Sequence, residues 1–141
     1  MYLDTAYIAK TYVNEPDSAA VRALLIGKRN MHSSALCGPE FYCVLQRHVR
    51  EGSLTKRQAA LLREKYHEDV EAGVWTLIPM DNAVIARVES SLSGIDQKIF
   101  IRAGDAIHLV SAQLAGFEEI WSNDRHLLGA APAFGLTGRR I

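Results

Sequence analysis

The sequence predicts an α/β fold of three layers, with a mainly parallel central sheet flanked by helices and a protruding helical hairpin. Three observations lead there. Short apolar runs alternate with segments of helical period along the chain. Two helical segments follow one another mid-chain with only a turn between them. Acidic residues recur where predicted strands and helices meet: Asp4, Glu40, Asp105 and Asp124.

Met1 to Leu3 reads as a short strand ending at Asp4, and Ala6 to Val13 as a short helix. Pro16-Asp17-Ser18 opens the next helix, with Pro placed in the first turn, where its missing N–H costs nothing. Val21, Leu24 and Leu25 give that helix an apolar face, and Gly27 to Asn30 ends it. Met31 to Ser34 is a weaker strand. A longer helix runs from about Pro39 to Glu51, with Phe41, Val44, Leu45, His48 and Val49 at helical spacing and Gly52 as its stop. Ser53 to Thr55 caps the next helix, which carries Ala59, Leu62, Tyr66 and Val70 on one face and breaks at Gly73. These two helices form the hairpin. Trp75 to Ile78 is a strand, and Asp81 caps a helix bearing Val84, Ile85, Val88 and Leu92. Gly104 to Ala115 is a helix suited to burial against a sheet. Glu119 to Ser122 is a strand, Asp124 to Leu128 a helical turn, and Leu136 to Ile141 a last edge strand.

At 141 residues and 48% hydrophobic content, the chain fits one domain, 1–141, with a substantial core. No apolar run approaches the roughly 20 residues of a membrane span, and no leader pattern opens the chain, so cytoplasmic residence is the expectation. Sixteen basic and sixteen acidic residues balance to zero formal charge. That argues against a general nucleic-acid coating protein but leaves room for an enzyme with acids in a cleft and bases around it. Arg47 and Arg50, in the hairpin with several other cations, either belong to a solvated helix face or contact RNA phosphates. The two cysteines, Cys37 and Cys43, point to different faces of one helix and are read as reduced, partly buried apolar residues.

Each acid has a plain structural reading beside a chemical one. Asp4 ends an apolar strand, where a charge is costly unless used or paired; it serves as a helix N-cap or as a catalytic group. Glu40 and Asp105 sit in first helical turns, which the helix dipole favours. Asp124 follows a strand as Asp4 does. His108, one turn beyond Asp105, reads as a hydrogen-bonded packing residue. In an open parallel sheet the strand ends gather at one crevice. Carboxylates converging there need a cation among them, and a sulfur-free oxygen set suits Mg²⁺ or Mn²⁺. No Ser-His-Asp order, phosphate-binding loop or GxGxxG is present. A dehalogenase-type phosphatase needs a second Asp two residues after the first, where Ala6 stands.

Taken together, Leu3-Asp4-Thr5, Glu40 to Leu45, Gly104 to Leu109 with Ala112, and Ser122 to Leu127 resemble, in order and spacing, the motifs of PIN-domain ribonucleases, specifically VapC-type toxins of toxin–antitoxin pairs. The resemblance spans nearly the whole chain. It implies a PIN-like sheet with the acids at its carboxyl edge and one or two Mg²⁺ or Mn²⁺ ions. Asp4, Asp105 and Asp124 would be the metal ligands, with Glu40 completing the catalytic set and orienting the attacking water; Thr5 and Ser122 would support them. It further implies a homodimer, a cognate VapB-type antitoxin and an RNA substrate such as a tRNA or rRNA loop. A housekeeping PIN ribonuclease in RNA maturation and a non-catalytic PIN-like binding module are the alternatives.

Overall fold

The computed structural model describes residues 1–141. Five strands form one sheet in the order β3-β2-β1-β4-β5: β1 (Tyr2–Leu3), β2 (Met31–Ser34), β3 (Trp75–Ile78), β4 (Glu119–Trp121) and β5 (Thr137–Arg139). All four pairings are parallel, so the expectation of a mainly parallel sheet holds throughout. The chain steps from β1 through β2 to β3 on one side, then returns past β1 to β4 and β5 on the other. The strand order therefore reverses between β1 and β4. Crossover helices leave these two strands in opposite directions and open a crevice at their carboxyl ends.

The helices are α1 (Thr5–Tyr12), α2 (Ser18–Leu25), α3 (Cys37–Arg50), α4 (Lys56–Glu71), α5 (Asn82–Ser93), α6 (Ala103–Leu114) and α7 (Arg125–Ala130), with a 3₁₀ turn at Ala131–Phe134. Successive strand residues face opposite sides, and β1 shows this in its two residues. Leu3 joins a core with Tyr7, Ile8, Phe41 and Leu45. Tyr2 joins the other core with Leu109, Val110, Ile120 and Leu127. Both β1 side chains are fully buried, so even this two-residue strand is held from both faces.

The hairpin of α3 and α4 starts its second helix with a full capping box. The Thr55 hydroxyl accepts from the Gln58 N–H, and the Gln58 side chain accepts from the Thr55 N–H at 2.8 Å. Most of α4 is exposed, with Ala59 and Tyr66 buried against the body.

Several sequence expectations change in detail. Pro16 lies ahead of its helix. Asp17 adopts a left-handed conformation (φ 68°) and α2 begins at Ser18, whose hydroxyl pins the turn by donating to the Val13 carbonyl at 3.0 Å. Conversely, α3 starts at Cys37, two residues before Pro39, because a proline in the first turn removes an N–H that has no helical partner. The last strand is confined to Thr137–Arg139. On α1, Tyr7 and Ile8 are fully buried, and the Tyr12 hydroxyl donates to Asp69 (2.7 Å) and accepts from the Trp75 indole N–H (2.6 Å). Cys37 is buried and Cys43 exposed; both are free thiols.

Candidate active site

The crevice at the β1–β4 junction is a cleft of about 580 Å³ lined by Asp4, Thr5, Glu40, Asp105, His108 and Asp124, among others. All four acids singled out in the sequence lie in it. Each arrives from a different element end. Asp4 ends β1 and caps α1; Glu40 lies in the first turn of α3; Asp105 lies in the first turn of α6; Asp124 follows β4 and caps α7.

The plain and chemical readings of Asp4 coexist. One carboxylate oxygen accepts from the Tyr7 N–H at 3.0 Å, which is the N-cap bond. The other accepts from the Ser122 hydroxyl, and the Ser122 oxygen in turn accepts from the Asp124 N–H at 2.9 Å. Ser122, fully buried, thereby ties the two strand-end acids together. Burial raises the pKa of Asp4, and the Ser122 and Tyr7 hydrogen bonds offset this only in part.

Glu40 meets a buried relay. Its Oε2 accepts from the Thr5 hydroxyl and lies 3.0 Å from His108 Nε2. His108 Nδ1 lies 3.0 Å from the Tyr2 hydroxyl. Burial raises the pKa of Tyr2, so its O–H is retained as a donor. The Glu40 carboxylate can only accept, so Nε2–H donates to it; in the neutral imidazole Nδ1 then accepts from the Tyr2 hydroxyl. His108 is thus the hydrogen-bonded buried residue that the sequence suggested, and it also holds a cleft carboxylate. For Glu40, burial works against ionisation, yet the His108 and Thr5 hydrogen bonds and the Arg102 charge outweigh it, and its pKa falls below the usual value.

Sequence reading passed over Arg102 as a mere flank of the third motif. Its Nε lies 2.9 Å from Asp105 Oδ2 and one Nη 3.1 Å from Asp105 Oδ1, a two-pronged pairing; the same Nη also binds Asp124. Asp105 Oδ2 accepts as well from the Arg102 backbone N–H at 3.1 Å, which supplies the third-residue half of a capping box for α6. The signal was in the chain: a basic residue three positions before an acid at a helix start. For Asp124, burial would raise the pKa, but the His126 N–H and Arg102 draw it down.

Of the two hairpin arginines, Arg47 reaches the cleft mouth, where it pairs with Glu15; Arg50 is exposed and does not line the cleft.

The carboxylates of Asp4, Asp105 and Asp124, with the Thr5 and Ser122 hydroxyls beside them, suit a hard divalent cation; the cleft's one thiol, Cys43, belongs to α3 and stands apart from these three acids in sequence. As the side chains stand, no three acidic or sulfur or imidazole groups enclose a metal position. The guanidinium of Arg102 fills the gap between Asp105 and Asp124, so cation binding there requires this side chain to swing aside. The Arg102 side chain is about half exposed, with open solvent on one side and the two carboxylates on the other.

Residues 1–131 match the family model of the PIN domain. No curated protein shows significant sequence similarity to the chain. Among solved structures, a chain of FitAB bound to an IR36 DNA fragment aligns with TM-score 0.70 and 19% identity, covering 99% of this chain and 93% of that one. VapC20 of Mycobacterium tuberculosis, a toxin that cleaves the sarcin-ricin loop, aligns with TM-score 0.71 and 14% identity, covering 92% and 93%. FitAcB from Neisseria gonorrhoeae aligns with TM-score 0.66 and 20% identity, covering 97% and 94%. At these identities the likeness is one of fold.

Proposed function

This chain belongs to the PIN domain family, and on that premise we propose that it is a Mg²⁺- or Mn²⁺-dependent endoribonuclease and the toxin of a toxin–antitoxin pair. The observation that carries this reading is the meeting of Asp4, Glu40, Asp105 and Asp124 in one cleft from four separate element ends. The fold shared with VapC20, an RNA-cleaving toxin, supports the substrate class.

Asp4, Asp105 and Asp124 would hold the metal, which when bound lowers the pKa of a water and offsets charge on the scissile phosphate. The chain's own groups do the positioning. Glu40, held by Thr5 and by the Tyr2–His108 relay, points a fixed acceptor into the cleft and orients the attacking water. Ser122 keeps the Asp4 carboxylate aimed by donating to it. Attack in line would leave a 5′-phosphate and a 3′-hydroxyl. The carboxylates repel the substrate's phosphates, so strand binding falls to cations in and around the cleft, Arg47 and the more remote Arg50 among the candidates.

The same reading gives the protein a cognate VapB-type antitoxin, a homodimeric state and a cytoplasmic location. No helix is long and apolar enough to cross a membrane, in keeping with the last. An antitoxin arginine would meet the acids as Arg102 does here.

Incubation of the purified protein with total RNA and Mn²⁺ tests the core of the proposal. Discrete cleavage is expected, absent in EDTA and absent in Asp105→Asn. Full activity in excess EDTA would end the metal-dependent reading. Expression of the chain alone should arrest growth, and normal growth with active enzyme would favour an RNA-maturation role.

A further inference from the structure

The cleft that would receive a polyanion is rich in carboxylates: Glu15 joins Asp4, Glu40, Asp105 and Asp124 along its walls. Three long cations line it too, and two are already engaged. Arg102 is bound by Asp105 and Asp124, and Arg47 by Glu15. Lys10 is the third. It is 8% exposed, it lines the cleft, and its ammonium makes no hydrogen bond or ion pair within the chain. Lysines commonly lay their stem against the protein and keep the charged head in water; here the stem is packed into the cleft wall and the head, alone among the three cations, has no partner in the protein. Lys10 lies in the last turn of α1, where a cation favours the helix dipole, but an exposed lysine would serve the dipole equally well.

Its place on α1 gives the missing partner a position. Asp4, Thr5, Ala6, Ala9 and Lys10 form one continuous wall of the cleft. Lys10 is five residues beyond Thr5, about 7.5 Å along the helix at roughly 1.5 Å per residue. Lys10 therefore stands farther along the same cleft wall than the acids, where a phosphate beside the reacting one would pass. We propose that Lys10 binds the backbone phosphate of single-stranded RNA next to the one being cleaved, so that the substrate lies along α1 from the acids toward Arg47. The inference rests on the ribonuclease reading. It adds a binding residue and a direction to it: the acids hold the reacting centre and Lys10 fixes the neighbouring phosphate.

Binding of a fluorescein-labelled uridine 12-mer, followed by anisotropy across a salt series, tests it. Asp105→Asn serves as the background to prevent cleavage, with Lys10→Met and Lys10→Arg added singly. Met keeps the unbranched stem, and circular dichroism with a thermal melt confirms folding. Lys10→Met should bind about tenfold more weakly, as expected for one charged contact. The slope of log Kd against log salt should fall by about 0.7, one phosphate contact on a single strand. Lys10→Arg should restore both to within about twofold, which a packing role for the lysine stem would not require. An unchanged slope in folded Lys10→Met overturns the inference. If Lys10→Met does not fold, loss of binding and of slope in folded Lys10→Arg overturns it instead. Cleavage of total RNA by the wild-type protein is scored in parallel. Cleavage with an unaltered Lys10→Met slope sinks this inference alone; neither cleavage nor binding by the wild-type chain sinks the ribonuclease reading with it.

Discussion

At Asp4 a single carboxylate caps α1 through one oxygen and holds Ser122 through the other, while burial makes its charge expensive. The pKa is raised in the folded state. The resulting penalty is fully present at pH values above the folded pKa and vanishes below the ordinary carboxylate value, where the group is neutral in both states. Asp4→Asn keeps an oxygen for the cap and removes the charge. The variant should therefore lose cleavage by at least about a hundredfold, yet melt as high as the metal-free wild type or a few degrees higher at pH 8. Its advantage should shrink as pH falls toward 4, because the wild-type acid then takes up its proton. Differential scanning calorimetry at several pH values reads this directly. A variant much less stable than wild type at pH 8 would mean that the ionised form is what the fold needs. Glu40 has the opposite sign. Its lowered pKa contributes stability that is present above the ordinary glutamate value and lost as pH falls through the folded one.

At the start of α6, a residue without a side chain leaves room for the Glu40 carboxylate. A Cβ built on Gly104 would stand 3.0 Å from Glu40 Oε1, and Gly104 has an ordinary helical backbone. Gly104→Ala should then act in two directions. Restricting the unfolded chain adds about 0.4–1 kcal/mol of stability. The Glu40 carboxylate must yield by a few tenths of an ångström and leave its geometry with Thr5 and His108. Thermal stability should rise by a degree or more while cleavage drops by about tenfold, since orientation at a reacting centre tolerates little displacement. Equal activity in the variant would show that Glu40 has slack at this end. This contact was not legible in the sequence, because it joins residues 40 and 104 through tertiary packing alone. What the sequence did show was the local part. Apolar runs, turn glycines and caps such as Thr55 and Asp81 placed the elements to within a few residues. The failures have local causes: Asp17 took a left-handed turn that pushed Pro16 out of its helix, and Pro39 was accepted inside a first turn. The four acids were found because each ends or begins an element, where periodicity makes them conspicuous. Arg102 and Tyr2 were missed. Arg102 carried a local mark in its spacing from Asp105, but an aromatic in a strand carries none until the sheet order brings distant segments together.

Across the whole molecule, the strand order draws carboxylates from both halves of the chain to one crevice. Arg102 pairs with both Asp105 and Asp124 there, at the position proposed for a divalent ion. Ligand binding to the folded state alone stabilises it by RT ln(1 + [L]/Kd), about 2.7 kcal/mol at a hundred times Kd. Mn²⁺ should therefore raise the melting temperature of the wild-type protein, and Asp105→Asn should lose most of that rise. Arg102→Met separates the two cations. Without the guanidinium, Asp105 and Asp124 face each other unpaired, and the metal-free variant should melt below the wild type. Its Mn²⁺ affinity should increase, because the ion no longer has to displace an internal partner. A tenfold gain in affinity would add about 1.4 kcal/mol at saturating Mn²⁺, or roughly 4 °C for a chain of this size. Titration calorimetry gives the affinity independently of the melt. Equal Mn²⁺ affinity in the two proteins would mean that Arg102 moves aside without cost, and that its pairing with the acids orients them without opposing the metal.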